Sequence, residues 1–187
     1  MDMDNPVLDR HEKLFDALDT NKDGALDWFA DLQPQLDRIA KAYSFNPDDV
    51  GKFGDLKSAY LDFWAECMFN AVSLSMLKAD QKSLPKHEFT LMLRKLVVEN
   101  DATLHNLKRT MFRFMNTEKD QELSEPEVLR FAQLWNKDIE PQDVKQLFRG
   151  TGTITDEQFG IFFFRFLNDF LPDAVVGGVL FGVRYRP

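Results

Sequence analysis

The sequence predicts an all-α protein made of four helix–loop–helix units arranged in two paired lobes. Three observations carry that expectation. Apolar residues recur at helical spacing along most of the 187-residue chain. Short polar breaks interrupt them at four places, and each break ends on a lone apolar residue (Leu26, Leu84, Leu123 or Ile154) just before a new helix begins. No stretch alternates apolar and polar residues long enough to specify a real strand. Length and a hydrophobic content of 44% suit one compact domain over residues 1–187. Its N-terminal lobe would run to about residue 98 and its C-terminal lobe from about 99, with the C-terminal tail packed on the core.

The first helix is marked by a stripe of Val7, Leu8, His11, Leu14, Phe15 and Leu18, with Pro6 in its first turn. A second, from about Trp28 to Tyr43, places Leu32, Leu36, Ile39 and Tyr43 on one face. A long third, from about Asp48 to Leu77, carries Leu56, Tyr60, Phe63, Trp64, Cys67 and Val72, with Gly51 and Gly54 near its start. Further helices fit Pro85–Glu99, Ala102–Met115, Glu125–Trp135, Pro141–Phe148 and Asp156–Leu171. Ser124-Glu125-Pro126-Glu127 and Thr155-Asp156-Glu157-Gln158 read as capping boxes, and Ser83-Leu84-Pro85 as a helix start.

A formal charge of −8 and the lack of a basic run argue against nucleic acid or an anionic membrane surface as partner. The lone Cys67 forms no internal disulfide and sits in an apolar stretch, where a small buried hydrophobe is the expected role. The N-terminus has no secretory pattern, and the apolar segment Ala174–Val183 is too short to span a bilayer. A cytoplasmic protein without a transmembrane segment is expected.

One break has ligand chemistry. Asp19-Thr20-Asn21-Lys22-Asp23-Gly24-Ala25-Leu26-Asp27 matches the pattern D-x-[DN]-x-[DN]-G. A hard cation such as Ca²⁺ takes six to eight oxygens, and side chains at alternate positions, Asp19, Asn21 and Asp23, can converge on one point. Gly24 permits the sharp reversal that turns the Ala25 carbonyl inward, and Asp27 acts through water and caps the next helix. The twelfth position, normally a bidentate glutamate, is Ala30. Asp31 supplies the missing carboxylate only if the loop holds one extra residue. The third break is a fainter copy, with Asn116, Glu118, Asp120, Ser124 and Glu127 at ligand positions and Gln121 in place of the glycine. The second presents Leu77, Ala79 and Gln81. The fourth, Arg149-Gly150-Thr151-Gly152-Thr153, is short and has an arginine where oxygens are needed. Both are expected to be inert toward cations.

Through Phe15–Leu26, Ile39-Ala40-Lys41-Ala42-Tyr43 and the wide gap between the first two loops, the chain resembles the EF-hand group of sarcoplasmic calcium-binding protein, calexcitin and bacterial calerythrin. Leu180-Phe181-Gly182 is similar to that group's C-terminal segment. The resemblance implies four EF-hands, a tail folded over the hydrophobic interior, and Ca²⁺ as ligand, here at a single near-complete loop. The chain would then act as a weak or specialised buffer or sensor. In related scaffolds, the coelenterazine-binding proteins and photoproteins, the interior holds an apolar molecule. The 18 phenylalanines leave that alternative open here, in a cavity lined by Phe63, Trp64, Phe112, Trp135, Phe162, Phe163 and Phe166. A groove for a partner helix is a third reading. Catalysis has little support: His11, His87 and His105 are scattered, and His11 falls on a core-facing stripe.

Overall fold

The computed structural model describes residues 5–45, 51–118 and 120–185. The elements are α1 (Pro6–Leu18), β1 (Ala25–Asp27), a π-helical turn (Trp28–Leu32), α2 (Gln33–Ala42), α3 (Lys52–Ser73), β2 (Ser83–Pro85), α4 (Lys86–Val98), α5 (Ala102–Met115), β3 (Glu122–Ser124), α6 (Glu125–Trp135), α7 (Pro141–Phe148), β4 (Thr153–Thr155), α8 (Asp156–Asn168) and a 3-10 helical tail (Pro172–Phe181). The architecture is all-α, as expected. Among the described residues no helix is long and apolar enough to cross a membrane.

The four apolar residues that close the breaks sit in three-residue strands, which are too short to show periodicity in the sequence. β1 pairs antiparallel with β2, setting Leu26 opposite Leu84, and β3 pairs with β4, setting Leu123 opposite Ile154. All four side chains are buried. Loops one and two are thereby joined, as are loops three and four.

Two compact units emerge: residues 18–110 form one, residues 1–17 with 111–187 the other. In the first, Leu36, Ile39, Phe53, Leu56, Phe89 and Leu93 are fully enclosed. Cys67 is buried among them, and burial pushes its thiol up, with Glu66 and Asp101 adding to the shift, so it behaves as a small hydrophobe. The N-cap of α3 is Gly51, at φ 104°, and the expected start at Asp48 lies outside the described residues.

In the second unit, α1 packs on the end of α8. Arg10, 1% exposed, donates through Nε to the Phe166 carbonyl at 2.6 Å and through Nη2 to that of Asp169; His11 Nε2 meets the Leu167 carbonyl at 2.7 Å. These contacts satisfy carbonyls that the end of α8 leaves without helical partners. The stripe that placed His11 toward the core is therefore correct, while Leu8 is exposed.

The last helix is shorter than its apolar run suggests. It stops at Asn168, and Phe170 and Leu171 lie beyond it, exposed. Phe163 and Phe166 are buried under the tail, against Phe181 at 5.0 and 5.3 Å between ring centroids. Gly177 makes that approach possible, since a Cβ there would stand 2.2 Å from the Phe162 carbonyl oxygen.

Candidate functional site

The first loop starts where α1 ends. Asp19 is 3% exposed and organises the turn: its Oδ1 accepts the Lys22 N–H at 2.9 Å and its Oδ2 the Gly24 N–H at 3.0 Å. Asn21 Oδ1 accepts the Asp23 N–H, and Asp23 Oδ1 the Ala25 N–H, both at 2.9 Å. Gly24 adopts φ 84°, the left-handed region that glycine enters without strain. Ala25 opens β1 opposite Pro85. Asp27 caps the following helical turn, its Oδ1 accepting the N–H groups of Phe29 and Ala30 at 2.7 and 2.9 Å.

A π-helical turn follows β1. The Gln33 N–H bonds back to the Trp28 carbonyl, five residues earlier, so Trp28–Leu32 holds one residue more than an α-turn. With that extra residue, Asp31 and not Ala30 faces the start of the loop. The Asp31 carboxylate is fully buried. Its Oδ1 accepts the Thr20 N–H at 2.9 Å, the Thr20 hydroxyl at 3.1 Å and the Asn21 N–H at 3.2 Å, and its Oδ2 accepts the Asp27 N–H at 2.9 Å.

Glu127 makes the same contacts in the third loop. Its Oε1 accepts the Thr117 N–H, the Thr117 hydroxyl and the Glu118 N–H at 2.6, 2.8 and 3.3 Å, and its Oε2 the Ser124 N–H and hydroxyl at 3.0 Å. Asp31 lies four residues beyond Asp27, whose N–H it accepts, and Glu127 three beyond Ser124. The π-turn thus compensates for a side chain one methylene shorter. Burial raises the Glu127 pKa, but the hydrogen bonds from Ser124 and Thr117 outweigh it and hold the group below its ordinary value. Gln121 takes φ 71°, so the third loop makes the same reversal without a glycine.

Asp19, Asn21, Asp23, Asp27 and Asp31 carry hard side-chain oxygens, and Ala25 a carbonyl. Among the described residues, no group of three or more His, Cys, Asp or Glu side chains is placed to hold a metal ion. Asp19, Asp23 and Asp31 accept loop N–H groups. Asp31 Oδ1, which already accepts from three donors, would have to release one of them to meet a cation. The donor set suits Ca²⁺ by its chemistry and order in the loop.

The apolar candidates divide between the two units. Phe63 is buried edge-on against Phe89 at 6.2 Å, and Trp64 lies 6.4 Å from Trp28. In the other unit Phe112 meets Phe159 at 5.6 Å, Trp135 meets Phe131 at 6.5 Å, and Phe163 and Phe166 lie under the tail, while Phe162 is half-buried. His87 and His105 are exposed, and His105 meets Asn100 Oδ1 at 2.7 Å. Sequence reasoning missed the threonines at the second loop position. Thr20 and Thr117 both donate to the closing carboxylate, and their recurrence in Asp19-Thr20-Asn21 and Asn116-Thr117-Glu118 was the available signal.

Four helix–loop–helix units, joined in pairs through a three-residue strand at each loop, constitute the EF-hand fold. The chain matches no family model and no curated protein sequence. Solved structures do match it. The Ca²⁺-regulated photoprotein mitrocomin from the jellyfish Mitrocoma cellularia is 15% identical, with 99% of this chain and 94% of that one covered at a TM-score of 0.73. The sarcoplasmic calcium-binding protein of amphioxus is 17% identical, with 98% of each covered at 0.67. The coelenterazine-binding protein of Renilla muelleri, in its Ca-loaded apo form, is 18% identical, with 94% of each covered at 0.61. The EF-hand resemblance seen in the sequence is thus a property of the fold.

Proposed function

We propose that the chain is a Ca²⁺-binding buffer or sensor whose main site is the Asp19–Asp31 loop. The observation that carries this reading is the π-turn. Without it the loop would close on Ala30 and lack its two strongest oxygens; with it, Asp31 takes the place that Glu127 has in the third loop. Asp19, Asn21 and Asp23 would supply side-chain oxygens, Ala25 its carbonyl, Asp27 a water-mediated contact and Asp31 the closing carboxylate. Binding requires Asp31 to exchange part of its hydrogen bonding for the cation, which favours modest affinity. Calorimetry on the whole chain is the test. One Ca²⁺-dependent heat is expected, absent from a variant with Asp19→Ala and Asp23→Ala and sharply reduced in Asp31→Ala. The absence of both heat and thermal stabilisation by Ca²⁺ in the unaltered protein would overturn the proposal.

A second reading is uptake of an apolar molecule. It is favoured by Trp64, whose buried indole N–H has no hydrogen-bond partner among the described residues while its ring lies near Trp28. A ligand carrying an acceptor on an aromatic body would satisfy it, and coelenterazine is the probe that the structural neighbours suggest. Tryptophan emission should then change saturably on titration. An unchanged spectrum, or a change retained in Trp64→Phe, would count against this reading.

A further inference from the structure

We propose that the cleft at the fourth loop binds a small organic anion, one carboxylate or similar acidic group on a short apolar body. The proposal is independent of Ca²⁺ at the first loop. Six residues (19–24, 116–121) separate helix from strand in loops one and three, but only four (149–152) separate α7 from β4. Arg149 occupies the place that follows the helix, where the other two have Asp19 and Asn116. Gln158 stands three residues after Thr155, as Glu127 does after Ser124. The cation-binding frame has thus been refitted with a guanidinium at its first position and an amide at its last.

These residues line an open-sided cleft of about 230 Å³. Leu147, Ile161 and Phe162 form its apolar wall, and Arg149, Gln158 and Arg165 its polar positions. Arg149 and Arg165 offer only donors, and the hydroxyl of Thr151, also in the lining, is turned to the Phe148 and Thr153 carbonyls. Gln158 Oε1 already accepts the Thr155 N–H at 2.9 Å, so its NH₂ group is what it offers a ligand. Arg165 is fixed by Asp169 at 2.8 Å and Asp173 at 2.6 Å. Arg149 reaches Asp173 only at 3.6 Å, with side chains 65% and 51% exposed, and such a pair is weak and exchangeable. An incoming carboxylate can replace Asp173 at Arg149 and gain a charge-assisted, bidentate contact while its body covers Ile161 and Phe162. The volume lies below the roughly 300–1,000 Å³ of drug-sized pockets, which limits the body to a short chain or single ring.

Amide NMR titration of the whole chain tests this with three probes: hexanoate, hexanol (the same body without charge) and acetate (the charge without the body). Hexanoate should shift resonances in the 147–165 segment at millimolar concentration and bind at least about ten-fold tighter than either control. Arg149→Ala should weaken it about ten-fold, the loss of one charge-assisted contact. Asp173→Ala, which removes the competing carboxylate, should tighten it, and a misfolded variant could not mimic that gain. Hexanol binding as well as hexanoate, shifts outside the segment, no shifts at all, or indifference to both substitutions would overturn the proposal.

Discussion

Asp31→Ala is the substitution that most directly tests how the first loop is closed, and its effect can be worked out in the absence of any cation. The carboxylate is fully buried and accepts from the backbone N–H groups of Thr20, Asn21 and Asp27 and from the Thr20 hydroxyl. Removing it leaves these donors without their acceptor. Thr20 and Asn21 are exposed, so water can replace the lost bonds there, and each net loss should be small, about 0.5–1 kcal/mol. Asp27 is half-buried and opens a strand-to-helix junction, so its N–H should lose about 1–2 kcal/mol. The sum is about 2.5–5 kcal/mol, a fall in Tm of about 5–20 °C for a chain of this size. Urea denaturation in excess chelator is the measurement. Asp31→Asn, which keeps the shape and one acceptor oxygen, should lie between the two. A loss below about 0.5 kcal/mol, the usual range for surface substitutions, would refute the claim that the π-turn delivers Asp31 to the closing position.

Three further outcomes are expected. Because the folded pKa of Glu127 lies below its ordinary value, its stabilising contribution is complete above that value and lost as pH falls through the lower folded one; a urea-stability profile should show this slope, and Glu127→Gln should make it shallower. Gln121→Gly should stabilise the chelated protein by about 1 kcal/mol, since φ 71° is strained for a residue with a Cβ; a loss of stability would contradict the left-handed assignment. Gly177→Ala should destabilise by about 2 kcal/mol or more and loosen the tail, because the added Cβ meets backbone at Phe162, and faster amide exchange in residues 172–183 would report it.

Much of this protein was readable before any coordinates. The four lone apolar residues, the capping boxes at Ser124 and Thr155, and the boundaries of α6 and α7 all follow from local chemistry: propensity, caps and spacing act over a turn or two, and the sequence states them directly. Asp19, Asn21, Asp23 and Gly24 are legible for the same reason. Three features were decided only by the tertiary structure. The π-turn after β1 leaves no periodic trace within five positions and is stabilised by the hydrogen bonds of Asp31 with Thr20 and Asn21, ten or eleven residues away. The early end of α8 depended on Arg10 and His11 taking its last carbonyls from across more than 150 residues. The grouping of α1 with residues 111–187 likewise arises from such distant contacts. In each case the deciding interaction joins residues far apart in the chain, and local pattern carries no record of which distant donor will meet which acceptor.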